Sequence, residues 1–239
     1  MAHAARYAES THHVQPDDVV GQPLARTLLT ARSVNVGVQA LRNADQRIAV
    51  AIERVGPCTM RVSSEGTHFG HLARAIVYQQ LSGSAAGTIH GRFVDRCGDG
   101  GVLTPEHVLS HDETVLRGCG LSTAKTAAIR DLARHVVNQR LPLDIVETLD
   151  DEAIIEALVH VRGVGRWTAQ MFLIFRLGRP DVLPVLDLGV RKGAQRIYHM
   201  RALPETDRLE KVARKWRPWA SIASWYCWRV LDLENVGGW

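Results

Sequence analysis

Leu158-Val159-His160-Val161-Arg162-Gly163-Val164-Gly165-Arg166-Trp167-Thr168-Ala169 reads as a helix end, a tight turn and the start of a second apolar helix through Phe172, Leu173 and Phe175. Two glycines permit positive φ and leave the turn's backbone N–H groups uncovered. Those N–H groups open a helix, where unsatisfied donors and the helix dipole favour an anion. A nucleic-acid backbone can approach such a turn without its sequence being read. The competing reading is a plain αα-turn that happens to use two glycines. Carbonyl oxygens of the same turn, near Val161, could also hold a monovalent cation.

Downstream, Gly178-Arg179-Pro180-Asp181-Val182-Leu183-Pro184-Val185-Leu186-Asp187 is a Gly/Pro-punctuated loop leading into a helix. Leu188, Val190, Ala194 and Ile197 supply that helix with apolar positions. Asp187 stands at the expected N-cap, where its carboxylate meets free N–H groups and the positive end of the dipole. Aromatic groups gather in the same half of the chain. All six tryptophans lie at or after Trp167, and four fall between Trp216 and Trp228. Trp225 and Trp228 are three apart and share a helix face. Trp216, Trp219 and Tyr226 are expected in the core, because the helix after Pro218 is apolar nearly all round. Trp225 is assigned to the core as well.

These residues need elements to hold them. The 239 residues allow one or two domains. An apolar fraction of 46% and a charged fraction of 23% are ordinary for a globular chain. No window approaches 18 uncharged apolar residues, so no membrane span is expected. Residues 1–16 lack an apolar core, so a secretory signal is not expected. The four cysteines are far apart and form no C-x-x-C, which argues against zinc ribbons and cysteine-ligated Fe–S clusters. Free thiols in a reducing cytoplasm fit that usage. His68/His71 and His107/His111 have helical metal-ligand spacing, but no third ligand accompanies them, so they read as surface or core residues. The net charge of +4 is local. Residues 187–217 hold nine Lys/Arg against four Asp/Glu, leaving the remainder slightly acidic.

Periodicity and caps predict helices along most of the chain. Residues 1–15 read as a tail. A weakly cued helix is expected over 19–30, and a better one over 43–54, stopped by Gly56-Pro57. Residues 68–81 and 84–97 form two more, broken by Gly83 and followed by a turn at 98–101. Thr104-Pro105-Glu106 caps a short helix, another covers 111–117, and Ser122 caps a long one ending at Leu141-Pro142. The acidic run 144–156 reads as a solvated face above Ile154, Ile155, Leu158 and Val159. Strand signals are sparse, so the expected class is all-α, with at most a little β structure near the N-terminus.

A helix–hairpin–helix followed by a Gly/Pro loop and an Asp resembles the superfamily of base-excision DNA glycosylases named for that order. The stretch Ala75-Ile76-Val77-Tyr78-Gln79-Gln80-Leu81-Ser82-Gly83-Ser84-Ala85-Ala86 is similar to the alkylpurine branch, the 3-methyladenine DNA glycosylase II family. So are Gly120-Leu121-Ser122 with Lys125, the run ending at Asp187, and Trp216-Arg217-Pro218-Trp219, together covering about residues 67–233. The resemblance implies a bilobal all-α helix-hairpin-helix DNA glycosylase fold with an active-site cleft between its lobes. Residues 67–239 would form the glycosylase core and 16–66 an N-terminal helical segment packed on it. Larger members carry an N-terminal α/β domain, which is expected to be short, degenerate or absent in this chain.

The implied activity is hydrolysis of the N-glycosidic bond of flipped-out alkylated purines, of the 3-methyladenine type, in duplex DNA, leaving an abasic site. By resemblance, Asp187 stabilises the oxocarbenium-like transition state and positions water. Trp167 stands where bifunctional relatives carry a Schiff-base Lys, so no strand-cutting lyase activity is expected. Trp167 and Trp228 would line the lesion pocket with Met171, which replaces an aromatic found in some relatives. Gln80 would fill the gap left by the flipped nucleotide, with Leu81 beside it and Ser82 near the minor groove. Gly163, Gly165, Arg166, Thr168, Ser122 and Lys125 would contact the DNA backbone. The expected partner is damaged double-stranded DNA, bound by a monomer without a membrane. No cofactor is expected beyond the optional hairpin cation, and the setting is a bacterial-type, nucleoid-associated cytoplasm. Two alternatives remain: a glycosylase for another lesion (ethenoadenine, hypoxanthine or a bulky adduct), and a non-catalytic helix-hairpin-helix DNA-binding module.

Overall fold

A computed structural model describes residues 28–234. Helices dominate: α1 (Ala31–Ala44), α2 (Gln46–Val55), α3 (His68–Tyr78), α4 (Gly83–Cys97), α5 (Pro105–Ser110), α6 (Glu113–Gly118), α7 (Thr123–Val137), α8 (Asp151–Val159), α9 (Arg166–Phe175), α10 (Leu188–Ile197), α11 (Thr206–Ala213) and α12 (Ala220–Glu234). Among the described residues, β structure amounts to one isolated bridge between Asp99 and Val102. The fold is all-α.

Caps set most boundaries. Thr30 and Ser33 form a reciprocal capping box, so the first described helix starts at Ala31. The helix expected over 19–30 is therefore not seen in its described part, where Leu28, Leu29 and Thr30 lie ahead of α1; residues 19–27 and the tail at 1–15 lie outside the described residues. Asp45 ends α1 and caps α2, so the stretch expected as one helix over 43–54 straddles a break. Gly83 is the first residue of α4 rather than an interruption. The helix expected from 111 begins at Glu113, because His111 closes α5. The long helix stops at Val137, ahead of Gln139 with its φ of 55°. In α8, Ile154, Ile155 and Leu158 are buried as expected, whereas Val159 is exposed.

The helices pack in two groups. Helices α3 to α9 pack among themselves, with α7 against α3, α5 and α6, and α9 against α3 and α8. The other group joins the two ends of the described chain: α12 lies on α1, α2 and α10. Trp216, Trp225 and Tyr226 are buried in this second group and Trp219 is half-buried.

Two crossing segments tie the groups together. Ser63 donates its N–H to Phe175 O (2.8 Å), and Leu29 donates to Gly178 O (2.7 Å). Arg176 donates to the carbonyls of Ser63, Glu65 and Gly66 at 2.6–2.8 Å. Ser221 of α12 donates to Arg179 O (2.7 Å) and accepts from Val182 N–H (3.0 Å). These bonds fix the loop that delivers Asp187.

Candidate active site

Asp187 caps α10, accepting from Val190 N–H at 2.7 Å through Oδ1. Two indoles join it. Trp228 Nε1 of α12 donates to Oδ1 at 2.8 Å, and Trp167 Nε1 of α9 donates to Oδ2 at 2.5 Å. Three N–H donors from three helices thus fix the plane of one carboxylate and spread its charge. Because α9 belongs to one helix group and α10 and α12 to the other, the carboxylate sits at their seam. The nearby Cys227 thiol is fully buried, and burial, reinforced by the Asp187 charge, pushes its pKa up and keeps it inert.

The walls around the carboxylate come largely from α9. Trp167, Met171 and Phe175 recur every four residues, so they share a helix face. Trp167 is 46% exposed, Met171 is half-buried on the core, and Phe175 meets the Trp228 ring at a centroid distance of 5.8 Å. Phe175 was not singled out as a site residue, although its spacing from Trp167 was available in the sequence. Gly189 was missed too. A Cβ there would lie 2.7 Å from Trp228 Cδ1 and 3.1 Å from Asp187 Oδ1. The bare glycine leaves the room in which tryptophan and carboxylate meet.

The hairpin joins α8 to α9 and packs on α7. Gly163 has φ 74°, where an L side chain is strained, and Gly165 opens α9 without a side-chain cap. Arg162 N–H donates to Asp131 Oδ2 of α7 at 2.8 Å. Arg166 pairs with Glu152 of α8, so its guanidinium is already partnered. Thr168 is 7% exposed, which leaves its hydroxyl mostly covered.

The α3–α4 turn lies next to the hairpin, because Gln79 Nε2 donates to Gly163 O at 3.0 Å. Gln80 adopts φ 56°, and Gln80, Leu81 and Ser82 are all exposed. Leu81, at 40% exposure, is not buried in the turn. Ser122 caps α7, accepting from Lys125 N–H. Lys125 Nζ turns back to α3, donating to Val77 O (2.7 Å) and Gln79 O (2.8 Å). The lysine thus closes the end of α3 beneath the turn. Partial burial lowers its pKa. The α3–α4 turn, the start of α7 and the hairpin form one contiguous surface beside Trp167.

Among the described residues, no group of three or more His, Cys, Asp or Glu is placed to hold a metal ion. No helix there is long and apolar enough to cross a membrane.

Comparison with known proteins adds a family. Residues 73–218 match the model of the HhH-GPD superfamily base excision DNA repair protein. An alkylbase DNA glycosidase-like protein of Schizosaccharomyces pombe is 31% identical over 82% of this chain and 93% of its own length. The crystal structure of a DNA-3-methyladenine glycosidase from Bacillus halodurans superposes with a TM-score of 0.76 at 32% identity, over 84% of this chain and 91% of that one. A 3-methyladenine DNA glycosylase of S. pombe, solved in complex with abasic DNA, superposes with a TM-score of 0.71 at 29% identity, over 84% and 98%.

Proposed function

This chain belongs to the HhH-GPD superfamily of base excision DNA repair proteins, and we propose that it is a monofunctional, monomeric DNA glycosylase that removes alkylated purines of the 3-methyladenine type from duplex DNA. The observation that carries the reading is the Asp187 carboxylate, held at the seam between the helix groups by Val190 N–H, Trp228 and Trp167.

Breaking the bond between C1′ and a purine builds positive charge on the sugar. A fixed carboxylate facing C1′ stabilises that charge, and it needs no reorganisation at the moment of reaction. Asp187 Oδ1 is committed to α10 and Trp228, whereas Oδ2 faces the exposed Trp167 indole. Oδ2 is therefore the oxygen that turns to the sugar and its attacking water. The alkylated purine is electron-poor and stacks against Trp228 and Trp167, beside Met171. A cation–π contribution of roughly 0.5–2 kcal/mol favours the charged base over a normal one. A base that already carries positive charge departs without a strong general acid.

Extrusion of the nucleotide costs a few kcal/mol, least for damaged or poorly paired bases. Gln80 fills the vacated space, with Leu81 against the neighbouring bases and Ser82 in the minor groove. The N–H groups of Gly163, Gly165 and Arg166 and of the start of α9 take one backbone phosphate. Ser122 and the third proton of the Lys125 ammonium serve a second. The Val161 and Gly163 carbonyls each accept one hydrogen bond and keep a lone pair, which suits a monovalent cation bridging hairpin and phosphate.

Trp167 supports the monofunctional assignment, because an indole cannot form a Schiff base with the sugar. The test is mass spectrometry of bases released from methylated duplex DNA. Wild type should release 3-methyladenine, and Asp187→Asn should be slower by on the order of 10²–10³. Product strands should stay intact until alkali is added. A borohydride-trapped adduct would overturn the monofunctional assignment, and a wild type that releases no base would overturn the alkylpurine assignment.

A further inference from the structure

The ten residues of α10 carry the chain about 15 Å away from Asp187. At that far end lies a cavity of about 400 Å³, lined by Asp45, Arg47, Tyr198, Arg208, Lys211 and Lys215 among others. Its side chains come from α2, the end of α10, α11 and the turn that follows. Four are cations and one is a carboxylate.

One carboxylate cannot neutralise four cations. Asp45 is 5% exposed and caps α2, with Oδ1 accepting from Arg47 N–H (2.9 Å) and Ile48 N–H (3.3 Å). Its Oδ2 lies 3.4 Å from Lys215 Nζ. Arg47 is anchored by donating to the Tyr198 carbonyl. Arg208 and Lys211 are left over: three apart on α11, they share a face. Neither forms a salt bridge with any described carboxylate. Tyr198 is a rigid wall, since its hydroxyl accepts from Trp216 Nε1 at 2.9 Å and burial keeps it protonated.

Arginine presents a planar fork suited to phosphate oxygens, and lysine a compact charge. Like charges facing one concavity repel, and a bound polyanion relieves that repulsion. We propose that this cavity is a second anion site, separate from the hairpin, that takes a phosphate-bearing group of about pyrophosphate size and charge. The phosphate belongs either to a free phosphate compound or to the DNA backbone beyond the lesion.

The test uses the full chain, the Arg208→Glu/Lys211→Glu double variant, and Arg32→Glu/Arg140→Glu as a control of equal charge change. Thermal melting checks that all three fold. Pyrophosphate is titrated by calorimetry at low salt, and lesion-free duplexes of one and three helical turns are titrated by anisotropy. Saturable one-site pyrophosphate binding, weakened more than tenfold in the α11 variant and retained in the control, establishes a site for free phosphate compounds. A more than tenfold loss on the long duplex alone, again specific to the α11 variant, assigns the site to the DNA backbone. If the α11 variant and the control behave alike with both ligands, or wild-type pyrophosphate binding does not saturate and long-duplex binding is unchanged, the proposal is overturned.

Discussion

At the scale of single residues, the Asp187 carboxylate depends on a side chain that is absent. Gly189 sits two positions after it, and a methyl group there would meet both Trp228 and the carboxylate. Displacing a fixed group by about 1 Å can cost on the order of 10²-fold in rate. Gly189→Ala should therefore slow base release by about that factor with little loss of thermal stability, since Trp228 is half-buried and α10 favours alanine. Unchanged release rates would mean that the indole–carboxylate contact does not position Asp187. Lys125 illustrates the same scale from the other side. The family resemblance implies a phosphate contact for it, and with two of its three protons engaged by Val77 O and Gln79 O one remains for that role.

At the scale of elements, the crossing of α10 and α12 decides where Trp228 stands. Gly193 lies where a Cβ would be 2.1 Å from Cys227 O and 2.5 Å from its Cα. Backbone cannot yield as a side-chain tip does, so the two helices would have to part. Gly193→Ala should destabilise the protein by about 1–3 kcal/mol, the usual cost of overpacking. It should also lower activity, because Trp228 one residue on from Cys227 moves with α12. Urea unfolding followed by far-UV circular dichroism measures the first effect; no change in midpoint would show that the crossing is loose. The hairpin is firmer, tied to α7 through Arg162 and Asp131 and to the α3–α4 turn through Gln79.

At the scale of the whole molecule, the segment crossing between the two helix groups carries a pH dependence. Arg176 is bonded to three carbonyls and to His68 Nδ1, and His71 stands nearby. Burial, then the charges of Arg176, Arg74 and His68, lower the His71 pKa to about 4. Burial, with Arg176 and Arg74 respectively, also lowers the pKa values of His68 and His90, while Glu147 acts in the opposite sense on His68. An unfolded histidine titrates near 6.5. Between about pH 6.5 and 4 the unfolded chain thus binds more protons, and stability falls as the solution is acidified through that window. Urea midpoints measured across it should drop more steeply in wild type than in His71→Gln. Parallel profiles would remove His71 from the account.

The sequence by itself determined what depends on near neighbours. Asp187 was legible as a cap because a Gly/Pro loop and an apolar helix flank it, and the hairpin because two glycines interrupt two apolar stretches. Trp225 and Tyr226 of α12 were legible as core because that helix is apolar nearly all round. The break at Asp45 and the face shared by Trp167, Met171 and Phe175 are likewise set within a few residues. Tertiary structure alone decided the partners. Trp167 and Trp228 reach Asp187 from 20 and 41 residues away, and Lys125 reaches back 46 and 48 residues to α3. A cap or a periodic stripe is set by backbone geometry over a turn or two. Which side chain meets a carboxylate is set by how closely whole helices cross, and here glycines 189 and 193 let α10 and α12 approach.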